Sequence, residues 1–218
     1  IVCCVTSGKT ANAGASGASR TLATIRAAIA CGADWVQIRE KDSPARELLA
    51  LADKAVAMTR ETAVAGRKTR ILVNDRLDVA LAAGAGGVLL GGASVDAAHV
   101  VRFCRSGNAP PEFRVGVSCH GAREALEAEQ AGASYIFFGP VFDTPEKRAF
   151  GAPPGIEELR AVSSELRIPV IAIGGVNAAN AGECFRAGAS GIAAIRMFQE
   201  VSDVAALRNS IEGLRLGR

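Results

Sequence analysis

The stretch DWVQIREKD, Asp34 to Asp42, carries Gln37, Arg39 and Lys41 at alternate positions at the end of an apolar run. Alternate side chains of an extended strand share a face. An amide, a guanidinium and an ammonium would therefore leave this strand together. Such a set suits an oxyanion, because Arg grips it bidentately and Lys adds a point charge. A solvated edge strand is the competing explanation.

Other apolar runs end in a similar way. RILVND closes on Asn74 and Asp75, and RVGVSC closes on Ser118 and Cys119 with His120 next. Asp75 is a candidate Mg²⁺ ligand, since that ion takes one or two carboxylates plus substrate phosphate. Its alternative is an N-cap for a helix starting near Leu77. His120 could act as an acid or base, or be structural. PVIAIGG stops at Gly174 and Gly175, whose N–H groups could approach a phosphate. The N–H groups of Ile195 and Arg196, in GIAAIRMF, would complete that cradle at a short helix start; a tight turn is the alternative. The long segment FFGPVFDTPEKRAFGAPPG adds Thr144 and a third cation, Lys147. A pyrophosphate beside a metal would use Arg39, Lys41 and Lys147. Loops of this length in compact domains often close over ligands.

These residues need elements to hold them. CGADWVQI, AGAGGVLL, AGASYIFF and AGASGIAA share one pattern, a helix end joined through Gly-Ala to an apolar strand. Their glycines, Gly32, Gly84, Gly132 and Gly188, are 52, 48 and 56 residues apart, an interval that fits two βα units of ~26 residues. Strands within IVCCVT, RILVND, RVGVSC and PVIAIGG bring the expected total to eight. Amphipathic helices are expected over Ala45 to Ala65 and Ala122 to Gln130. Near-continuous apolar strands are what a parallel sheet buried on both faces requires. The expectation is a (β/α)₈ TIM barrel forming a single domain over residues 1–218, with the active site at the C-terminal strand ends. A doubly wound open sheet is the runner-up.

Composition narrows the partners. A hydrophobic content of 49% supports one sizeable core. A net charge of +3 is too small to suggest a nucleic-acid or membrane partner. No apolar run approaches the ~20 residues of a membrane span. IVCCVTSGKT lacks the basic lead and cleavage site of a secretory signal. Cys3, Cys4, Cys31, Cys104, Cys119 and Cys184 show no metal-ligand spacing with His99 or His120, which predicts reduced thiols in a cytoplasmic protein.

Taken in order, VQIREK, LVNDR, GVLLGG, GVSCH, FFGPVFDTPEK and IPVIAIGGV resemble the thiamine-phosphate synthase / TenI family across essentially the full length. The resemblance implies a (β/α)₈ barrel that couples hydroxymethylpyrimidine diphosphate to thiazole phosphate with Mg²⁺ as cofactor. It implies that Gln37, Arg39, Lys41, Asn74 and Lys147 bind the pyrimidine diphosphate, that Asp75 holds the metal, and that Ser118 sits beside the reacting groups. Arg39, Ser118 and Lys147 would be the catalytic set. Thr144 would contact the thiazole phosphate, with Gly174, Gly175, Ile195 and Arg196 supplying backbone amides. Phosphorylated small molecules are the implied partners, and a homo-oligomer is possible for the family's fold.

The chain departs from the family pattern at several positions. LLGGAS places Ser94 where a second metal carboxylate is usual, with Asp96 two residues on as a substitute. TPEK places Glu146 where a hydroxyl is usual, and Arg196 replaces a small serine. The family's thiazole tautomerase branch uses a histidine that is matched here by Pro140. A tautomerase and a non-catalytic phosphate-binding paralogue are therefore the alternatives.

Overall fold

A computed structural model describes residues 1–7, 14–61, 68–143, 154–199 and 204–216. Its strands are β1 (Val2–Val5), β2 (Trp35–Ile38), β3 (Arg70–Asn74), β4 (Gly87–Leu90), β5 (Arg114–Cys119), β6 (Tyr135–Phe138), β7 (Val170–Ile173) and β8 (Gly191–Ala194). They form a closed barrel in chain order, with parallel pairing throughout the registers from β1 to β4 and from β5 to β8. The helices are α1 (Gly14–Ala30), α2 (Ala45–Glu61), α3 (Leu77–Ala82), α4 (Ala97–Phe103), α5 (Ala122–Gln130), α6 (Gly155–Glu165), α7 (Ala181–Arg186), α8 (Arg196–Gln199) and α9 (Val204–Leu216). The expected TIM-barrel fold is the observed one, and the open sheet is excluded. Among the described residues no helix is long and apolar enough to cross a membrane.

By internal contacts the chain divides into two compact units, one built on Val2–Leu89 and Ile195–Gly213, the other on Leu90–Ala194. In the first unit, β1 and the interior of β3 are buried, as a sheet covered on both faces demands. Helix α2 buries Leu48, Leu51, Ala52, Ala55 and Val56, the i, i+3, i+4, i+7, i+8 stripe of an amphipathic helix. Each such leucine contributes roughly 1.5–3 kcal/mol on full burial. Helix α2 is described as far as Glu61, and the rest of the expected span to Ala65 lies outside the described residues. In the second unit, Tyr135, Ile136, Phe137 and Phe138 of β6 are all buried, and Tyr135 and Phe137 stack tilted with centroids 5.8 Å apart.

The repeated Gly-Ala signal works by one mechanism in both units. Gly32, Gly84, Gly132 and Gly188 have φ of 79°, 63°, 86° and 93°, a region costly for any residue with a Cβ. Each donates its N–H three residues back, and the following alanine donates five residues back, for example Gly32 to Ile29 and Ala33 to Ala28. This is the Schellman arrangement, which satisfies the last carbonyls of a helix. The next residue then joins the sheet: Asp34, Gly86, Ser134 and Ser190 donate their N–H groups to Val2, Ile71, Val115 and Val170. Helix stop and strand start are thus a single local device, repeated.

Candidate functional site

In the first unit the polar residues gather after β2 and β3. Gln37 is only 1% exposed, and its Nε2 donates to Asn74 Oδ1 at 3.0 Å. A buried amide must be hydrogen-bonded or it costs stability, and Asn74 satisfies this one. Among the described residues, Gln37 Oε1 and Asn74 Nδ2 make no further hydrogen bond. The pair therefore offers one acceptor and one donor side by side.

The alternation expected from Gln37 through Lys41 stops early. Strand β2 ends at Ile38, Arg39 is half-buried, and Lys41 lies exposed in the turn that follows. The reason is a residue the sequence reading missed. Thr6 donates its N–H to Gln37 O at 3.0 Å. Its Oγ1 accepts the Arg39 N–H at 2.8 Å and donates to Glu40 Oε1 at 2.6 Å. Glu40 is 4% exposed and Thr6 1%, so the acid between Arg39 and Lys41 lies inside. The only signal for Thr6 was a hydroxyl immediately after the apolar IVCCV.

Asp75 is exposed and takes φ of 64°, the one positive value among described non-glycine residues. Aspartate tolerates this region better than most side chains. Its N–H donates to Leu89 O at 2.8 Å, and Arg76 N–H turns back to Asn74 O at 2.8 Å. That tight turn displaces the helix start, so the cap position of α3 falls to Arg76, without a side-chain cap bond. Arg76 is committed elsewhere: Nε and Nη2 bond to the Asp78 carboxylate at 2.9 and 2.5 Å. That hydrogen bonding holds the Asp78 carboxyl below its ordinary range. Ile195 follows β8 and Arg196 opens α8, where Ile195 O accepts the Phe198 N–H at 3.2 Å.

In the second unit, Ser118 is half-buried on β5, opposite Phe137 of β6. The neighbouring Cys119 thiol is pushed up to about 12 by burial, so it is no nucleophile near neutral pH. His120 turns its Nδ1 onto Gly139 O, and its N–H donates to Glu124 Oε2 at 2.7 Å at the start of α5. Both contacts are structural. They favour the structural alternative for His120 over an acid–base role.

The end of β6 continues beside β7 beyond the regular strands. Val141 N–H donates to Ile173 O at 2.9 Å, and Phe142 N–H to Gly174 O at 3.0 Å. The Gly139–Pro140 peptide is cis. Gly174 and Gly175 have φ of 94° and 67°, and a Cβ there would lie 2.5 Å from Pro140 Cα and 2.7 Å from Phe142 Cβ. So the two glycines do more than turn: they allow two loops to pack backbone to backbone. Asn180, also missed in sequence, donates from Nδ2 to Gly175 O at 3.0 Å. Among the described residues, neither Gly174 nor Gly175 donates its N–H to a protein acceptor. Thr144 and Lys147 lie outside the described residues.

The second candidate carboxylate has another use. Asp96 caps α4, its Oδ1 accepting from Ala98 N at 3.0 Å and His99 N at 3.3 Å, with His99 Nδ1 at 3.1 Å. The His99 ring chiefly holds the Asp96 carboxyl below its ordinary value. Ser94 Oγ accepts the Gly91 N–H at 2.7 Å. Among the described residues, no three His, Cys, Asp or Glu side chains cluster as a ready-made metal cage.

Comparison with known proteins agrees with this architecture. The model of the family described as thiamine monophosphate synthase matches residues 3–198. A putative thiamine-phosphate synthase of Geobacter sulfurreducens is 47% identical over 180 residues, covering 83% of this chain and 80% of that protein. The thiamine-phosphate synthase of Chloroflexus aurantiacus is 39% identical, covering 93% of this chain and 89% of its own. Among solved structures, the thiamine phosphate pyrophosphorylase of Pyrococcus furiosus superposes with a TM-score of 0.80 at 30% identity, covering 98% of this chain and 94% of that one.

Proposed function

The chain belongs to the thiamine monophosphate synthase family and is a transferase of thiamine biosynthesis; we propose that its own residues divide the work of joining hydroxymethylpyrimidine diphosphate to thiazole phosphate as follows. The Gln37–Asn74 pair carries the reading for the pyrimidine. Its Oε1 acceptor and Nδ2 donor complement the amino group and adjacent ring nitrogen of an aminopyrimidine. Arg39, Lys41 and Lys147 hold the diphosphate, with charge-assisted hydrogen bonds stronger than neutral ones.

In the reaction, the bond between the pyrimidine methylene carbon and the diphosphate oxygen breaks, and the electron pair leaves with the diphosphate. The thiazole nitrogen lone pair then forms the new C–N bond. Cations fixed around the leaving group stabilise charge where it develops, the largest source of acceleration in most enzymes. Ser118, half-buried at the β5 end, lies at the reacting groups. Thr144 and the N–H groups of Gly174 and Gly175 take the thiazole phosphate.

The oxygen donors fit Mg²⁺ of the sparsely held kind, one protein carboxylate completed by substrate phosphate and water. Asp75, exposed just after β3, would hold it, while Asp96 and Ser94 are engaged within their own turns. When bound, the ion would supply further neutralisation of the departing diphosphate. Described cysteines that form no disulfide, five of them buried, support a reducing cytoplasmic setting.

The test is formation of thiamine phosphate and pyrophosphate from the two phosphorylated precursors by purified protein, with and without Mg²⁺. Binding of both precursors without product would overturn the transferase reading. A thiazole tautomerase reading has less support, because Pro140, packed against Gly174, carries no proton-transferring group.

A further inference from the structure

We infer that Thr6 and Glu40 are positioning residues that set the direction of Arg39, an inference that rests on Arg39 serving as a diphosphate ligand. A regular parallel ladder in which Thr6 donates to Gln37 O would next carry the Arg39 N–H to the main-chain carbonyl of Thr6. Here the Arg39 N–H goes to the Thr6 side chain instead, at 2.8 Å from Oγ1. The hydroxyl has one proton to give, and it gives that proton to Glu40 Oε1 at 2.6 Å. Thr6 thus ends the ladder and ties together three residues, Gln37 through its N–H and Arg39 and Glu40 through its hydroxyl.

The cost of this arrangement argues for a purpose beyond ending a strand. A carboxylate buried to 4% exposure is expensive unless hydrogen-bonded, and Gly, Pro or Asn would end a strand without that cost. With the proton committed to Glu40, the Oγ1 lone pairs face Arg39, so the peptide that carries the guanidinium has one orientation. A bidentate Arg contact is sensitive to such orientation, because misplacement by an ångström can erase it.

The experiment compares wild type with Thr6→Val, which is close to isosteric but lacks the hydroxyl, and Thr6→Ser, which restores it. Thr6→Val is expected to raise KM for the pyrimidine diphosphate, and Kd for inorganic pyrophosphate by calorimetry, about tenfold, equivalent to ~1.4 kcal/mol. KM for the thiazole phosphate stays unchanged, and Thr6→Ser recovers the wild-type values. Glu40→Ala, which takes the acceptor from the Thr6 hydroxyl, is expected to weaken pyrophosphate binding in the same direction, and Glu40→Gln, whose amide oxygen still accepts that hydroxyl, to restore it. Wild-type affinity in Glu40→Ala overturns the role of Glu40. The inference is overturned if Thr6→Val binds pyrophosphate as wild type does, if both KM values move together, or if Thr6→Ser fails to recover affinity. Should Thr6→Val not fold, hydrogen exchange at the Arg39 amide of wild type decides: strong protection supports the bond, and exchange at an open amide's rate overturns it. Failure of the synthase reading looks different, since wild type then makes no product while the pyrophosphate titration still reports on Thr6. Absence of pyrophosphate binding by wild type would overturn both.

Discussion

Replacing Gly174 by alanine separates two costs that share this position, and Gly107 provides the reference. Both glycines have left-handed backbones, with φ of 94° and 86°. A Cβ added at Gly107 meets nothing within 4 Å, whereas at Gly174 it lies 2.5 Å from both Cα and Cβ of Pro140. The left-handed conformation costs an L-residue roughly 1–2 kcal/mol. Overpacking against an atom that cannot swing aside typically adds about 1–3 kcal/mol, and a backbone Cα is such an atom. Gly107→Ala should therefore cost about 1 kcal/mol and Gly174→Ala about 3 kcal/mol.

For a chain of this length, each kcal/mol lowers Tm by roughly 2–4 °C. Thermal unfolding followed by circular dichroism should show Gly174→Ala melting roughly 4–8 °C below Gly107→Ala. Because Phe142 N–H bonds to Gly174 O, the shift that relieves the clash also moves the Gly174 and Gly175 amides. KM for the thiazole phosphate should rise in Gly174→Ala and stay put in Gly107→Ala. Equal melting shifts for the two variants would refute the close approach of the β6 and β7 loops. A large shift with unchanged KM would refute the phosphate role of those amides while leaving the packing intact.

The remaining predictions concern charge and protonation. Asp75→Asn should raise the Mg²⁺ concentration needed for half-maximal turnover, while Asp96→Ala should lower thermal stability through the lost α4 cap and leave Mg²⁺ dependence alone; a Mg²⁺ titration of both variants checks this, and the reverse pattern would return the metal to Asp96. Burial pushes the Cys119 and Cys184 thiols up to about 12 and about 11 from an ordinary 9.0. In the native protein at pH 8 both should resist alkylation, with half-buried Cys104 reacting first, as mass spectrometry would reveal. A thiol whose folded pKa lies above its unfolded value contributes stability in full below the unfolded pKa, near 9.0, and loses it as pH rises through the folded one. Urea midpoints should accordingly fall from about pH 9 upward, and a less steep fall is expected when Cys184 is replaced by alanine.

The barrel was legible in sequence because its signals are local. A Schellman stop needs only the residues of one helix end, so Gly32, Gly84, Gly132 and Gly188 announced four helix-to-strand joints directly, and each joint is present. The polar strand ends were legible as residue types for the same reason. What stayed hidden was set by partners distant in the chain or by backbone turns. The Asn74–Arg76 turn that puts Arg76 at the cap position of α3 leaves no mark in residue type. Asp96 is the opposite case: its cap is local, two residues before Ala98, and the sequence pattern could have revealed it had the metal not been sought there. Pairing of Gly174 with Pro140 could not be read, since glycine types the turn and not the neighbour.

The end of β2 shows why such a gap matters for chemistry. Period-two reasoning carried the strand through Lys41 and put Arg39 and Lys41 on the face of Gln37. That face is buried at Gln37, with 1% exposure. A strand that continued regularly would carry an ammonium along the same buried direction, at a desolvation cost no single hydrogen bond repays. The ladder instead hands over to the Thr6 hydroxyl, Ser43 N–H closes a turn onto Glu40 O at 3.3 Å, and Lys41 emerges exposed. Gln37 is thus held in the interior and Lys41 is left in water. The acid between the two cations is the part of the run that turns inward, to the Thr6 hydroxyl. Alternation puts Glu40 on the face of the fully buried Ile38, and it takes a residue more than thirty positions away, Thr6, to supply the hydrogen bond a carboxylate needs there.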